Sequence, residues 1–378
     1  MPAPASRRIL VLSASVGAGH IRAAQAMELA LKRADPNAHV QNVDVLTLTN
    51  ALFKRLYGAA YLDLIKKAPH LLGAVYDLTD KPQKTRGTRH ALRSLVQKAN
   101  LKKLTDLLEG PWDVVVNTHF LPADMIATAR RRRRLATRQV SVVTDFDAHA
   151  FWVNEPCERY YVGAEEAALS LAWWGVERAK ITTTGIPVHP VFAQPKTAAG
   201  CRAKHGLSID RPVLLQLAGG FGVGPIESML RSILGIERPL HAAVVCGRNA
   251  ELQKKLDAVP VPARHKATIV GFTTEIDELM AAADVVITKP GGLTTAEVLA
   301  RGCAMVIMNP VPGQEDRNSD YLLEQGAAVK VNTLASLGWK VSTLLADPAR
   351  LKTLRTNART IGRPNAAQTI ANDVLAAL

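Results

Sequence analysis

The hexapeptide Ser15-Val16-Gly17-Ala18-Gly19-His20 follows the apolar run RILVLSA and precedes the helical pattern IRAAQAMELALKRA. A histidine at a helix start can take a proton from a hydroxyl nucleophile, and the positive helix end tends to keep the ring neutral, as a base requires. The same residue could instead cap the helix or sit in a core. Later in the chain, AGGFGVG (218–224) and KPGGLTTAEVLARG (289–302) each follow an apolar run. Glycine turns of this kind aim backbone N–H groups at an anion, here from Gly219, Gly220, Phe221, Gly291, Gly292 and Leu293. Thr294 and Thr295 can cap the second loop's helix, and Glu297, one turn in, can accept from both hydroxyls of a ribose. NPVPGQEDRNSDYL (309–322) adds Gln314, Glu315 and Asn318, polar groups suited to sugar hydroxyls. Any one of these loops alone could be a plain turn; it is their joint arrangement that points to a nucleotide-type ligand.

Two familiar phosphate loops are matched poorly or not at all. GAGHIR lacks the third glycine of the dinucleotide fingerprint, because Arg22 stands there, and no GxxxxGK[ST] is present. The sequence DFD at 145–147 has metal-ligand spacing but lies far in the chain from the nucleotide-type loops, so no metal site is assigned.

The elements that must position these residues are short β-branched runs alternating with helical patterns. Candidate strands are 7–14, 38–46, 112–119, 138–146, 159–164 and 180–188, then 212–220, 241–247, 266–272, 284–290 and 303–310. Continuous apolar runs of this kind are the mark of parallel strands buried on both faces. The proline- and glycine-containing stretch 187–200 reads as a linker. The expected architecture is α/β with two Rossmann-like parallel-sheet domains facing across a cleft: 1–190, 200–360, and a helix over 361–378 that could cross back to the first domain. In open α/β sheets ligands bind beyond the carboxyl ends of the strands, where the loops named above all fall.

The segment 51–103 breaks this rhythm, interleaving leucines and aromatics with lysines in ALFKRLYGAAYLDLIKKAPHLLGAVYDLTDK. It suits either an amphipathic helix at an anionic interface or an ordinary buried helix pair. The net charge of +14 is concentrated between Lys54 and Arg138, including five arginines at Arg130 to Arg134. Such an excess favours an anionic partner, whether membrane, phosphorylated substrate or nucleic acid. The basic region lacks RNP-type aromatics and any helix-turn-helix pattern, which argues against nucleic acid. Cys157, Cys201, Cys246 and Cys303 are scattered singly, without zinc-ligand spacing, as expected of a reduced cytoplasm. No signal-peptide pattern and no apolar run of about 18–20 residues is present, so a membrane would be met from its surface.

KPGGLTTAEVLARGCAMVIMNPVPGQEDRN resembles the donor-nucleotide half of two-domain glycosyltransferases that use UDP-sugars (GT-B). SASVGAGHIRAAQAM, VVTDFDAHAFWVNEPCERYYVGAEE and TGIPVHPVF resemble the branch of monogalactosyldiacylglycerol synthases and processive diacylglycerol glucosyltransferases. The resemblance covers almost the whole chain. It implies that His20 is the general base toward the acceptor hydroxyl, and that Glu297 holds the ribose. Gln314, Glu315 and Asn318 would contact the donor sugar. Gly219, Gly220, Gly291, Gly292 and Thr294 would contact the diphosphate, and Gly271-Phe272 would hold the uracil through backbone groups. Gly17, Gly19, Asp145, His149 and Trp152 fall on the acceptor side. The implied reaction is an inverting, metal-independent transfer of galactose or glucose from a UDP-sugar, as co-substrate rather than cofactor, to diacylglycerol or a related lipid, giving a β-glycolipid. The implied place is the cytoplasmic face of the cell membrane.

Three rivals are weighed against this. A transferase adding N-acetylglucosamine to a lipid-linked peptidoglycan precursor usually has a first loop of GGTGGH type, and TDFDAHAFW does not resemble it. The others are a nucleic-acid-binding protein and a non-catalytic UDP-sugar sensor. If residues 51–103 and Arg130 to Arg134 form a membrane-facing surface, liposome co-sedimentation should rise with anionic lipid content and fall with salt, each basic side chain near the surface contributing about 1 kcal/mol. Binding indifferent to both would remove that assignment.

Overall fold

The computed structural model describes residues 6–49, 73, 80, 102–219 and 224–378. Most of the 51–103 segment, and Gly220 and Phe221, therefore lie outside the described residues. The chain divides into two compact units: the first comprises Met1–Pro190, Val311–Arg317 and Asn365–Leu378, the second Val191–Pro310 and Asn318–Pro364.

The first unit runs β1 (Arg8–Ser13), α1 (Ala18–Ala34), β2 (His39–Asp44), α2 (Lys102–Leu108), β3 (Val114–Asn117), α3 (Phe120–Arg131), β4 (Arg138–Val142), β5 (Arg159–Val162), α4 (Glu165–Trp173) and β6 (Ile181–Thr183). Its sheet is parallel, in the order β2-β1-β3-β4-β5-β6. Successive side chains of a strand leave opposite faces, so the unbroken apolar run of β1 serves two cores. Ile9 and Val11 join Met27 and Leu31 of α1 on one face. Leu10 and Leu12 join Leu104, Leu108 and Ile126 on the other. Strand β2 is shorter than the 38–46 run suggests. Its last residue, Asp44, turns its carboxylate onto the N–H groups of Ser15 and Leu46, both at 3.1 Å, which ends the strand and anchors the loop after β1.

The second unit runs α5 (Ala198–Lys204), β7 (Val213–Leu217), α6 (Ile226–Leu234), β8 (His241–Val245), α7 (Ala250–Asp257), β9 (Lys266–Val270), α8 (Ile276–Ala282), β10 (Val285–Thr288), α9 (Gly292–Arg301), β11 (Ala304–Met308), α10 (Gln314–Glu324), β12 (Ala328–Val331), α11 (Leu334–Ala346) and α12 (Pro348–Ile361). The first turn of α10 belongs to the first unit. The second sheet is also parallel, ordered β12-β11-β10-β7-β8-β9. Strand β12 is absent from the sequence expectations. It is four residues long, sits at a sheet edge and is only half-buried along its middle, so it carries no continuous apolar run.

In each sheet the connections reverse direction once: between β1 and β3 in the first, between β7 and β10 in the second. At such a point two adjacent loops diverge and leave a crevice at the strands' carboxyl ends.

The last helix, α13 (Ala366–Ala376), lies in the first unit, where Ile370, Ala371 and Val374 pack among the α1 and β1 core residues. Asp373 of α13 accepts a hydrogen bond from the Tyr161 hydroxyl at 2.7 Å. Replacing Ile370 with Ala should cost about 2–5 kcal/mol in denaturant unfolding, because a fully buried side chain leaves a cavity. Tyr161→Phe should cost less, about 1.5–3 kcal/mol, the net contribution of one hydrogen bond to a charged group.

Candidate functional site

The crevice of the first sheet is formed by the loop after β1 and the residues after β3. Helix α1 begins at Ala18 with Gly17 as its N-cap, so His20 lies in the first turn. Gly17 has φ −152°, extended backbone open to any residue, and a side chain there would meet nothing within 4 Å. This glycine leaves space above the loop rather than answering a backbone demand.

The His20 ring is held by two groups at one nitrogen. Nδ1 lies 3.0 Å from the Thr118 carbonyl oxygen and 2.9 Å from Thr144 Oγ1. A carbonyl oxygen only accepts, so Nδ1 must carry the hydrogen and Nε2 is left with the lone pair. The Thr118 hydroxyl in turn donates to the His20 carbonyl at 3.0 Å, so the tether runs both ways. His119 stands edge-on to His20, with ring centroids 4.5 Å apart. Its Nδ1 accepts the Leu121 N–H at 3.0 Å as the cap of α3, which places its hydrogen on Nε2. Burial pushes the His20 pKa down to about 4, the Thr118 hydrogen bond acting in the opposite sense. Burial, and then the neighbouring His20, push His119 well below its ordinary value. Both rings are neutral near pH 7, the state in which an imidazole accepts a proton.

The loop after β4 provides the next layer. The Asp145 carboxylate, 5% exposed, accepts from Gln314 Nε2 at 2.6 Å. Asp147 accepts from Ser170 Oγ at 2.7 Å, from the Ala148 N–H at 2.8 Å and from Arg317 Nη1 at 3.0 Å. Arg317 also reaches Asp80 at 2.6 Å. His149 caps the turn at Ala150–Trp152 through Nδ1, and its Nε2 lies 3.7 Å from Asp80 Oδ1. Trp152, 3% exposed, packs with Val143, Tyr160 and Leu171 inside a hydrophobic cluster, so its indole serves the core and is not presented to an acceptor. Gln314 opens α10, after Gly313 at φ +96°, a left-handed turn that favours glycine. Glu315 uses one carboxylate oxygen on the Val311 N–H at 2.6 Å.

The crevice of the second sheet lies between the loops after β7 and β10. Gly219 takes φ +73° directly after the strand. Helix α9 starts at Gly292 with Gly291 as N-cap and no side-chain cap, and its first turn holds no acidic residue. The expected capping by Thr294 or Thr295 is not made: Thr295 turns into the interior, while Thr294 stays half-buried in the first turn. Uncapped N–H groups at a helix start, with the positive end of the dipole behind them, suit an anion. The Glu297 carboxylate is 1% exposed on this helix, and Asn318 is fully buried on α10. Gly271 and Phe272 follow β9; the Phe272 ring is 62% exposed with the Arg248 guanidinium 5.0 Å from its centroid.

Nothing in the spacing signals Thr118, Thr144, Asp80 or Arg317 as partners of these residues, since each contact joins residues far apart in the chain. Of the arginine run, Arg130 is spent on Glu158 at 2.6 Å and Arg131 on the Glu155 carbonyl, while Arg132 to Arg134 remain exposed. Among the described residues, His205, Glu275 and Glu278 bring potential ligand atoms within 4.8 Å of one another. Lys204 already lies 2.6 and 2.7 Å from those carboxylates, and Lys196 2.7 Å from Glu278, so the group is an ion-paired cluster.

Residues 20–188 match the monogalactosyldiacylglycerol (MGDG) synthase family, and residues 213–361 match the group 1 glycosyl transferases. The chain is 29% identical over 371 residues to the processive diacylglycerol beta-glucosyltransferase of Bacillus subtilis (strain 168), covering 98% of this chain and 95% of that protein. Its fold is similar to that of Acinetobacter baumannii MurG, at 17% identity and a TM-score of 0.59, over 98% of this chain and 99% of the other. It is similar also to Anabaena Alr3699/HepE in complex with UDP-glucose, at 15% identity and a TM-score of 0.58, over 98% and 100%. At these identities the structural likeness establishes the fold, an α/β GT-B architecture with two parallel sheets.

Between pH 6.5 and about 4 the unfolded chain binds a proton at His20 that the folded chain does not, so acidification through that window destabilises the fold. His20→Asn should therefore lose less stability than the native chain between those pH values, read from denaturant midpoints; equal losses would show that His20 titrates normally.

Proposed function

We propose that this chain, which belongs to the family of monogalactosyldiacylglycerol synthases and processive diacylglycerol glucosyltransferases, transfers a hexose from a UDP-sugar to diacylglycerol with inversion. The observation that carries this reading is the state of His20: a neutral ring, its Nδ1 hydrogen committed to the Thr118 carbonyl and its Nε2 lone pair left for an acceptor hydroxyl. As the hydroxyl oxygen attacks the anomeric carbon, its proton passes to Nε2 and the bond to UDP breaks on the opposite face. An α-linked UDP-sugar then gives a β-glycoside, the linkage named in the B. subtilis relative. Glucose, the sugar in that name, is the favoured donor.

The diphosphate is assigned to the uncapped start of α9, at Gly291, Gly292 and Thr294, together with Gly219. Charge developing on the leaving group is met there by fixed N–H dipoles, which do the work a divalent ion does elsewhere. Two further observations support a metal-independent route: Asp145 is committed to Gln314, and Asp147 to Ser170, Ala148 and Arg317, so neither carboxylate of DFD is idle. Glu297 is assigned to the ribose, Gln314, Glu315 and Asn318 to the sugar, and Gly271-Phe272 to the uracil. A groove of about 680 Å³ lined by Asp80, Ala148, Leu169, Ser170, Trp173 and Trp174 suits the acyl chains of the acceptor, with Leu169 and Trp173 exposed on α4. No helix among the described residues is long and apolar enough to cross a membrane, and a peripheral place on an anionic cytoplasmic surface fits the exposed Arg132 to Arg134.

Purified protein incubated with labelled UDP-sugars and mixed lipids should yield a β-hexosyl diacylglycerol, identified by mass and linkage. His20→Ala should lower kcat by about 10²–10⁴-fold, the usual contribution of a general base, with UDP binding unchanged. Transfer at the native rate would end the general-base assignment.

A further inference from the structure

We propose that Asp145 is a positioning residue for the donor sugar, acting through Gln314, and not a ligand of the acceptor. This rests on the donor-sugar role proposed above for Gln314. The Gln314 carboxamide can face Asp145 in only one way: its Nε2 lies 2.6 Å from Asp145 Oδ2, and the amide oxygen in that place would be repelled by the carboxylate. The contact therefore turns Oε1 away from Asp145 as an acceptor for a sugar hydroxyl. A glutamine at a ligand contact normally reads donor and acceptor hydroxyls alike by flipping; one whose orientation is fixed accepts only from a donor placed at one position. Asp145 so imposes on Gln314 the polarity needed to tell one arrangement of hydroxyls from another.

The surroundings make this anchor stiff. Arg317, one turn along α10 from Gln314, bridges Asp147 at 3.0 Å and Asp80 at 2.6 Å. Asp147 is held in turn by Ser170 and by the Ala148 N–H. Alternate residues of the loop after β4 thus grip the first turn of α10 at two points, Asp145 to Gln314 and Asp147 to Arg317. Thr144, the residue before Asp145, is the one whose hydroxyl meets His20 Nδ1 at 2.9 Å. A single dipeptide, Thr144-Asp145, thus meets the His20 ring with one side chain and sets the orientation of the sugar-reading amide with the other.

The test separates the sugar from the nucleotide by measuring UDP and UDP-glucose binding calorimetrically for the native chain, Asp145→Ala and Asp145→Asn. Asp145→Ala should weaken UDP-glucose by about tenfold while leaving UDP within about twofold, as expected for loss of a hydrogen bond to a charged group that acts only through the sugar contact. Asp145→Asn, which can still offer a carbonyl to Nε2, should fall between. Discrimination of UDP-glucose from UDP-galactose should shrink in both. In a Gln314→Leu background Asp145→Ala should add no further loss for UDP-glucose. An unchanged UDP-glucose affinity with a raised KM for diacylglycerol would overturn the inference in favour of an acceptor role, and equal weakening of UDP and UDP-glucose would overturn it in favour of general disruption. A native chain that binds no UDP-sugar would overturn the proposed function itself, and the inference with it.

Discussion

The hydrogen bond from His20 Nδ1 to the Thr118 carbonyl is the constraint on which the first unit's chemistry depends. It joins the first turn of α1 to the end of β3 and settles which nitrogen of the ring is basic. A main-chain acceptor is a firm choice for this task, because a carbonyl cannot change role with pH as a side chain can. The Thr118 hydroxyl returns a bond to the His20 backbone, so ring and helix start are fixed to the same strand end. The arrangement exists because β1 and β3 are neighbours although the chain passes through α1, β2 and α2 between them. Where the sheet reverses its order, two loops distant in sequence come together.

The second sheet obeys the same rule with different chemistry. Its reversal between β7 and β10 brings Gly219 and the start of α9 to adjacent strand ends. There the useful groups are backbone N–H dipoles, and the helix start is left without a side-chain cap. In the first unit it is the helix after the first strand, α1, that carries His20 in its first turn, while the counterpart of α9 is α3, capped by His119. The reversal point thus offers a neutral imidazole from the helix after the first strand in one unit, and uncapped N–H groups from the helix across the reversal in the other.

Charge is distributed by partner and not by run. Arg130 is tied to Glu158, while Arg132 to Arg134 of the same run face solvent. The carboxylates after β4 are all engaged, Asp145 by an amide and Asp147 by a guanidinium, a hydroxyl and a backbone N–H. Burying a carboxylate is costly unless donors surround it, so the loop and the first turn of α10 stabilise one another.

The sequence by itself determined the parallel α/β character, because strands buried on both faces are predominantly apolar along their length, as ILVL within β1 and AMVIM of β11 are. It also determined that His20 stands at a helix start and that glycines follow β7 and precede α9. The four-residue β12 was not legible, since an edge strand needs no unbroken apolar run. Trp152 shows the limit of a motif: its place beside His149 pointed to the acceptor, but the surrounding cluster closes over the indole. The tautomer of His20, the orientation of Gln314 and the division of the arginine run were decided only by tertiary structure. Each depends on a partner far along the chain: the Thr118 carbonyl for His20, Asp145 for Gln314, Glu158 for Arg130. Local spacing states what a side chain can do, whereas the atom it meets decides which of its nitrogens or oxygens is left to do it.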